Sequence, residues 1–133
     1  MKILRGRVIV SDGTFRGEAL VSKKPISFLG GVDPNTGVII EKNHDLKGKC
    51  VKGKILCFPH GHGSTVGSYV MYALAKNDMA PKAIINEKAD PVVVVGAVLA
   101  RIPMIDQVNI EEIETGAILE INCKEGCIKV LGE

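Results

Sequence analysis

Lys54 to Lys76 reads KILCFPHGHGSTVGSYVMYALAK, and three kinds of chain follow one another in it. KILCFP (Lys54 to Pro59) is a short apolar run closed by proline, the pattern of a buried strand. From Val66 onward Val66, Tyr69, Val70, Ala73 and Leu74 recur on one face at helical spacing. Asn77-Asp78 ends that helix and Pro81 prevents its continuation. Between strand and helix stand His60, Gly61, His62, Gly63 and Ser64, a glycine-rich turn carrying two imidazoles and a hydroxyl. KAIIN (Lys82 to Asn86) then reads as a second short buried strand. The unit is strand–helix–strand, which crosses over with the right hand if its strands are parallel.

Working toward the N-terminus, KILRGRVIV (Lys2 to Val10) reads as one strand, SDGT (Ser11 to Thr14) as a turn, and FRGEALV (Phe15 to Val21) as the strand returning from it. Ser27 to Ile40 is a glycine-rich connection in which Asp33-Pro34-Asn35 favours a turn and Gly37 to Ile40 a short strand. Asn43 to Gly53 is polar and loop-like. Toward the C-terminus, DPVVVVGAVLARIP (Asp90 to Pro103) has the β-branched content of a strand. Asp90 as a cap with Pro91 in the first helical position favours a short helix, and that is the reading taken. Met104 to Asp106 follows as a short strand, and Ile118 to Leu131 as a closing hairpin. The fold class is mixed α/β with several short strands and few helices, a single domain over residues 1–133, and not a doubly wound sheet.

Composition bounds the function. With 46% apolar residues the 133-residue chain can build a real core, which excludes disorder. With 4% aromatics and no Trp, that core is aliphatic, and the chain lacks a stacking platform for single-stranded nucleic acid. A net charge of +2, both signs interspersed, offers no basic stripe for nucleic acid or membrane. No window is apolar enough to span a bilayer, and the N-terminal residues carry no cleavage-site pattern; a cytoplasmic protein is expected. Cys50, Cys57, Cys123 and Cys127 are simplest as thiols in a reducing compartment. Cys123 and Cys127 flank Lys-Glu-Gly, which reads as a hairpin turn and departs from the usual two-residue gap of metal-binding cysteines.

The glycine loop has its own chemistry. A loop that opens a helix offers unpaired amides and the positive end of the helix dipole, and so suits an anion. Ser64 is placed to be the helix N-cap, and the same residues would equally serve a plain turn, since Ser caps helices and Gly fills turns everywhere. The spacing is neither a Walker loop nor Gly-x-Ser-x-Gly; a serine hydrolase drawing on His44, His60 or His62 is left formally open. His60-x-His62, with no carboxylate near it in sequence, is an incomplete metal set, and no metal site is assigned. A phosphorylated histidine is another way to use either ring.

Four stretches, GGVDPNTGVI (Gly30 to Ile39), HDLKGKCVKGKILCFPHGHGSTVGSYV (His44 to Val70), APKAII (Ala80 to Ile85) and GAVLARIP (Gly96 to Pro103), resemble, in this order, the small subunit of the aconitase X type, most closely its archaeal members that dehydrate phosphomevalonate. The resemblance implies a swivelling β/β/α domain. It implies a hydro-lyase reaction in which 5-phosphomevalonate loses water to give an anhydromevalonate phosphate for isoprenoid synthesis. It implies a large-subunit partner that holds an iron–sulfur cluster, with none bound by this chain alone, and a small phosphorylated hydroxy acid as substrate. Carried to this sequence, the family's catalytic serine after a glycine is Ser64, the base that takes a proton from carbon. Gly63, Thr65, Val66, His62 and Ser68 would then bind substrate or oxyanion, Ser68, one helical turn further on, reading as a buried hydroxyl or one that supports the loop from behind, with the base itself as the alternative. The chemistry is coherent: a Lewis-acid iron eases loss of hydroxide, and amides at the helix start stabilise a serine alkoxide. Ordinary aconitases place an arginine two residues after this serine, where this chain has Val66, so the stabilising charge must come from the partner or from His62. The loop from Gly30 to Gly37, with Asp33 and Asn35, is a second candidate site, and Arg101 a possible anion contact. Two rivals follow: a dehydratase subunit for another hydroxy acid, and a swivelling module that holds an anion or a phosphohistidine without dehydratase chemistry.

Overall fold

A computed structural model describes residues 1–132; Glu133, the last residue of the expected domain, lies outside them. The strands are β1 Lys2–Arg5, β2 Arg7–Val10, β3 Thr14–Val21, β4 Ile55–Phe58, β5 Ala83–Asn86, β6 Met104–Asp106, β7 Ile118–Asn122 and β8 Cys127–Gly132. Two helices, α1 Gly67–Lys76 and α2 Pro91–Ala100, interrupt them, with one 3-10 turn at Ile110–Glu112. The mixed α/β class with many short strands and few helices is what the structure has.

The strand order is β1-β8-β7-β3-β4-β5-β6-β2. β3, β4, β5 and β6 run parallel, α1 connecting β4 to β5 and α2 connecting β5 to β6, while β1, β7 and β8 form an antiparallel wing on β3 and β2 caps β6. β4 is buried along its whole length, as a strand covered on both faces must be. Its alternation sorts two cores. Ile55 and Cys57 face the inside of the curled sheet with Ile85, Ile105 and Leu119. Leu56 and Phe58 face the helices with Ile84, Met71 and Val93.

Lys2 to Val10 is not one strand. It breaks at Gly6, and its halves lie at opposite ends of the strand order, so one residue nearly closes the sheet into a barrel. Gly6 sits where the chain crosses: a Cβ there would lie 2.5 Å from the Asp106 carbonyl oxygen and 2.6 Å from Val108. The Gly6 amide donates to the Gly126 carbonyl at 3.0 Å. Phe15 to Val21 lies within β3 but does not return along β2; it pairs with β7 and β4. The short strand expected at Gly37 to Ile40 is reduced to isolated bridges, Val32 to Ile39 and Val38 to Cys50, its backbone being shared among turns.

α2 forms as its capping residues predict: Asp90 Oδ1 accepts from Val92 N at 2.9 Å and Val93 N at 3.3 Å, with Pro91 first in the helix. α1 buries a face rotated from the expected one. Gly67, Ser68, Met71 and Leu74 point inward, whereas Tyr69 is 67% exposed. The cause is α2, whose Gly96 leaves the space that the Met71 side chain fills. Helix-to-helix packing set the face, not the sum of hydrophobicities. α2 carries no polar side chain, yet Val95, Val98 and Leu99 are exposed on its outer side.

Candidate functional site

The loop from His60 to Val66 leaves the carboxyl end of β4, where ligands of parallel sheets gather. It is pinned to the Ser27 region before it turns into α1. Ile26 N donates to the His60 carbonyl at 3.3 Å, and His62 N donates to the Ile26 carbonyl at 3.1 Å. Gly63 has φ +92°, and a Cβ there would collide with the Ser27 hydroxyl. The second glycine of the motif is therefore fixed by both conformation and space.

Ser64 is not the N-cap. Val66 holds that position with helical φ −62° and ψ −19°, and no side chain caps the helix. The chain makes an extra turn first, with Gly67 N donating to the Ser64 carbonyl at 2.9 Å. Ser64 Oγ accepts from Val66 N at 3.1 Å and is exposed. Its own hydrogen goes to none of the described residues. The amides of Gly63, Ser64 and Thr65 likewise have no acceptor among the described residues. An exposed hydroxyl already receiving one amide, flanked by unused amides at a helix start, is an arrangement that can hold an anion or stabilise an alkoxide.

The other expected residues divide. Thr65 and Val66 are exposed on the same turn. Ser68 is buried and donates to the Val92 carbonyl at 2.6 Å, so it joins the two helices instead of facing out. His62 is half exposed and its Nε2 lies 3.1 Å from Glu41 Oε2. His60 Nδ1 lies 2.8 Å from its neighbour's carbonyl, Gly61 O. Asp33 and Asn35 form a closed turn, Asn35 N donating to Asp33 Oδ1 at 2.8 Å, docked on the C-terminal end of α1 through Asn77 Nδ2 and the Pro34 carbonyl at 2.8 Å. They belong to the opposite end of the helix from Ser64. Arg101 is the left-handed C-cap of α2 and makes no ion pair among the described residues.

Sequence reasoning missed Glu41. It follows an apolar run and precedes Lys42, 21 residues before His62, and only the fold brings Glu41 and His62 together. Its other oxygen accepts from Ser27 N at 2.8 Å.

A hydrolase built on His44 is ruled out by its hydrogen bonds. His44 Nδ1 accepts from Leu46 N at 3.0 Å, so the ring hydrogen is on Nε2, pointed at the Pro25 carbonyl 3.1 Å away. Ser22 Oγ, 3.3 Å from Nε2, meets a nitrogen that cannot take its proton. Ser22 instead serves Asp45 Oδ1 at 2.7 Å. Burial alone would raise the Asp45 carboxyl, but the Lys23 amide and the Ser22 hydroxyl outweigh it and hold it below its ordinary range. A cavity of about 560 Å³ opens beside this cluster, between Val21, Lys23, Pro59, Glu87 and Thr115, and none of residues 60–68 lines it.

Cys57, Cys123 and Cys127 are buried and Cys50 is exposed, all as free thiols. Burial pushes the Cys57 thiol far up, so it stays protonated. Among the described residues no three His, Cys, Asp or Glu side chains come together to hold a metal, and no helix is long and apolar enough to cross a membrane.

A family model described as "Aconitase X swivel domain" matches residues 3–130. Curated relatives named phosphomevalonate dehydratase small subunit include one from Pyrococcus abyssi, 54% identical over 92% of this chain and 95% of that one. One from Methanosarcina acetivorans is 51% identical over 96% of this chain and 90% of that one. Among solved structures, Thermococcus kodakaraensis aconitase X in its holo form superposes with a TM-score of 0.95 at 48% identity, covering 98% of this chain and 99% of that one. A UPF0107 protein solved by solution NMR gives 0.86 at 45% identity, covering 98% and 99%.

Proposed function

Because this chain belongs to the aconitase X swivel-domain family, we propose that it is the small subunit of a phosphomevalonate dehydratase, a hydro-lyase active only with its large subunit. The substrate is 5-phosphomevalonate and the product an anhydromevalonate phosphate, made in the cytoplasm as a step of the modified mevalonate route. Relatives of nearly the same length carry that enzyme's small-subunit name, and the aconitase X neighbour shares the fold over almost the whole chain. Residues 1–133 act as one swivelling unit.

Ser64 is the base. The observation that carries this is the 3.1 Å contact from Val66 N to Ser64 Oγ on an exposed loop: the amide is already placed where negative charge develops when the hydroxyl loses its proton. It supplies, from the backbone of Val66, part of what an arginine side chain supplies in ordinary aconitases. The unused amides of Gly63 and Thr65 bind the substrate's anionic groups, with His62 at the same rim. Ser68, committed to Val92, supports the loop from beneath.

The residues of this chain do not fit an iron–sulfur cluster, since no three suitable ligands meet among those described. In this proposal the cluster belongs to the large subunit, and the tasks of this chain are proton transfer and anion binding. The outer side of α2 supports a permanent partner: a helix without one polar side chain leaves Val95, Val98 and Leu99 exposed, the kind of patch that marks a protein contact.

The test is Ser64→Ala in the two-subunit enzyme. Turnover of 5-phosphomevalonate collapses while the subunits still co-purify. If the anion-binding rival holds instead, turnover survives and replacement of His60 and His62 is the damaging change. Offering other hydroxy acids to the wild-type enzyme separates the remaining alternative.

A further inference from the structure

We propose that Glu41 is a positioning residue for the reaction, acting through His62. This deepens the proposed function and rests on Ser64 being the base. A carboxylate only accepts hydrogen bonds, so Glu41 Oε2, 3.1 Å from His62 Nε2, places the ring hydrogen on Nε2. Nδ1 then carries the lone pair, and it bonds none of the described residues. Glu41 cannot swing away. Its Oε1 is held by Ser27 N at 2.8 Å, and its carboxylate is packed against Gly31, where a Cβ would lie 2.7 Å from Oε1. The main chain of His62 is fixed to Ile26 as well. Ring and backbone are thus both fixed two residues before Ser64, in a loop with a glycine between.

The chemistry follows. The Ser64 hydroxyl hydrogen and the His62 Nδ1 lone pair are both unused among the described residues and make no direct bond to each other, so in this proposal one water relays the Ser64 proton to Nδ1, leaving an alkoxide that receives the Val66 amide and an imidazolium that faces the Glu41 carboxylate. The alkoxide then takes the proton from the substrate carbon, and the electron pair of that C–H bond becomes the new double bond as hydroxide departs. Ser64 is then a neutral hydroxyl again, and when His62 gives up its proton to the released hydroxide, which leaves as water, the site is restored. Glu41 never takes the proton; it selects the tautomer and balances the charge, the role a carboxylate plays behind a catalytic imidazole.

Two measurements test this on the protein as it exists. In the full chain, ¹⁵N–¹H correlation of the histidine rings reads the tautomer directly. The wild-type His62 ring bears its hydrogen on Nε2, and Glu41→Gln, which keeps an acceptor for Ser27 N but can turn an NH₂ toward the ring, moves it to Nδ1. A wild-type His62 with the hydrogen on Nδ1 overturns the proposal. In the two-subunit enzyme, Glu41→Gln lowers kcat by about tenfold or more with KM little changed, and the same substitution in a His62→Gln background costs almost nothing further. Equal, additive losses in both backgrounds show that Glu41 only holds Ser27, and overturn the proposal. Failure of the Ser64 reading shows separately, as turnover retained by Ser64→Ala.

Discussion

The Ser68 hydroxyl lies 2.6 Å from the Val92 carbonyl, tying the first buried turn of α1 to that of α2, while Ser64, four residues earlier, points its oxygen outward. Two serines at one-turn spacing thus have opposite environments, and their substitutions should separate cleanly.

Ser64→Ala should reduce turnover by about a thousandfold or more, the range of a lost proton acceptor. Its melting temperature should hardly move, because only one exposed hydrogen bond to Val66 N is lost. Steady-state kinetics beside thermal unfolding measure both. Near-normal turnover would remove Ser64 from the chemistry.

Ser68→Ala should do the reverse. Losing a buried hydrogen bond costs about 1 kcal/mol, read as a lower denaturation midpoint, with kcat within a few-fold of wild type. A kcat loss as deep as that of Ser64→Ala would make Ser68 the base.

Much of this was legible in the sequence, and the failures have causes. β4, the glycine loop and α2 are specified locally, by an apolar run, by residues with special backbone freedom and by an Asp-Pro cap. Gly6 looked like an ordinary strand residue because the reason for it, the Asp106 carbonyl, is 100 positions away. Ser64 looked like an N-cap because Ser is good at it; the extra turn from Ser64 to Gly67 delays the helix and frees the hydroxyl. Glu41 was invisible because its pairing with His62 exists only once the Ser27 loop has folded over the motif.

Gly6→Ala should be among the most damaging small changes, costing about 3 kcal/mol or more, since the added methyl meets backbone and two packed side chains. Urea denaturation of the full chain checks it. A loss below about 1 kcal/mol would show that the crossing has room.

Acid should weaken the fold through Asp106. Burial alone raises its carboxyl, but the bidentate Arg7 guanidinium, at 2.9 and 2.8 Å, and the Ala89 amide at 2.9 Å outweigh this and hold its pKa below the ordinary value. A folded pKa below the unfolded one, about 3.9, means stabilisation that is complete above that pH and lost as pH falls through the folded value. Denaturation midpoints should therefore drop below about pH 4. Asp106→Asn should be less stable at pH 7 and show a shallower acid slope.

Val98→Glu, on the exposed side of α2, should leave the melting temperature of the isolated chain within a few degrees and weaken its association with the large subunit by at least about tenfold. Titration calorimetry of the two purified subunits measures it; unchanged affinity would place the contact elsewhere.

β1 pairs with β8, so Lys2 finds its partner in Val130 and Arg5 in Cys127, far along the chain. A ribosome releasing this protein must hold Lys2 to Arg5 unmatched until Cys127 to Val130 emerge, and β1 remains an open edge throughout. Closure of this wing therefore waits until β8 has been made, and a chain cut short before β8 carries β1 as a sticky, unpaired ribbon.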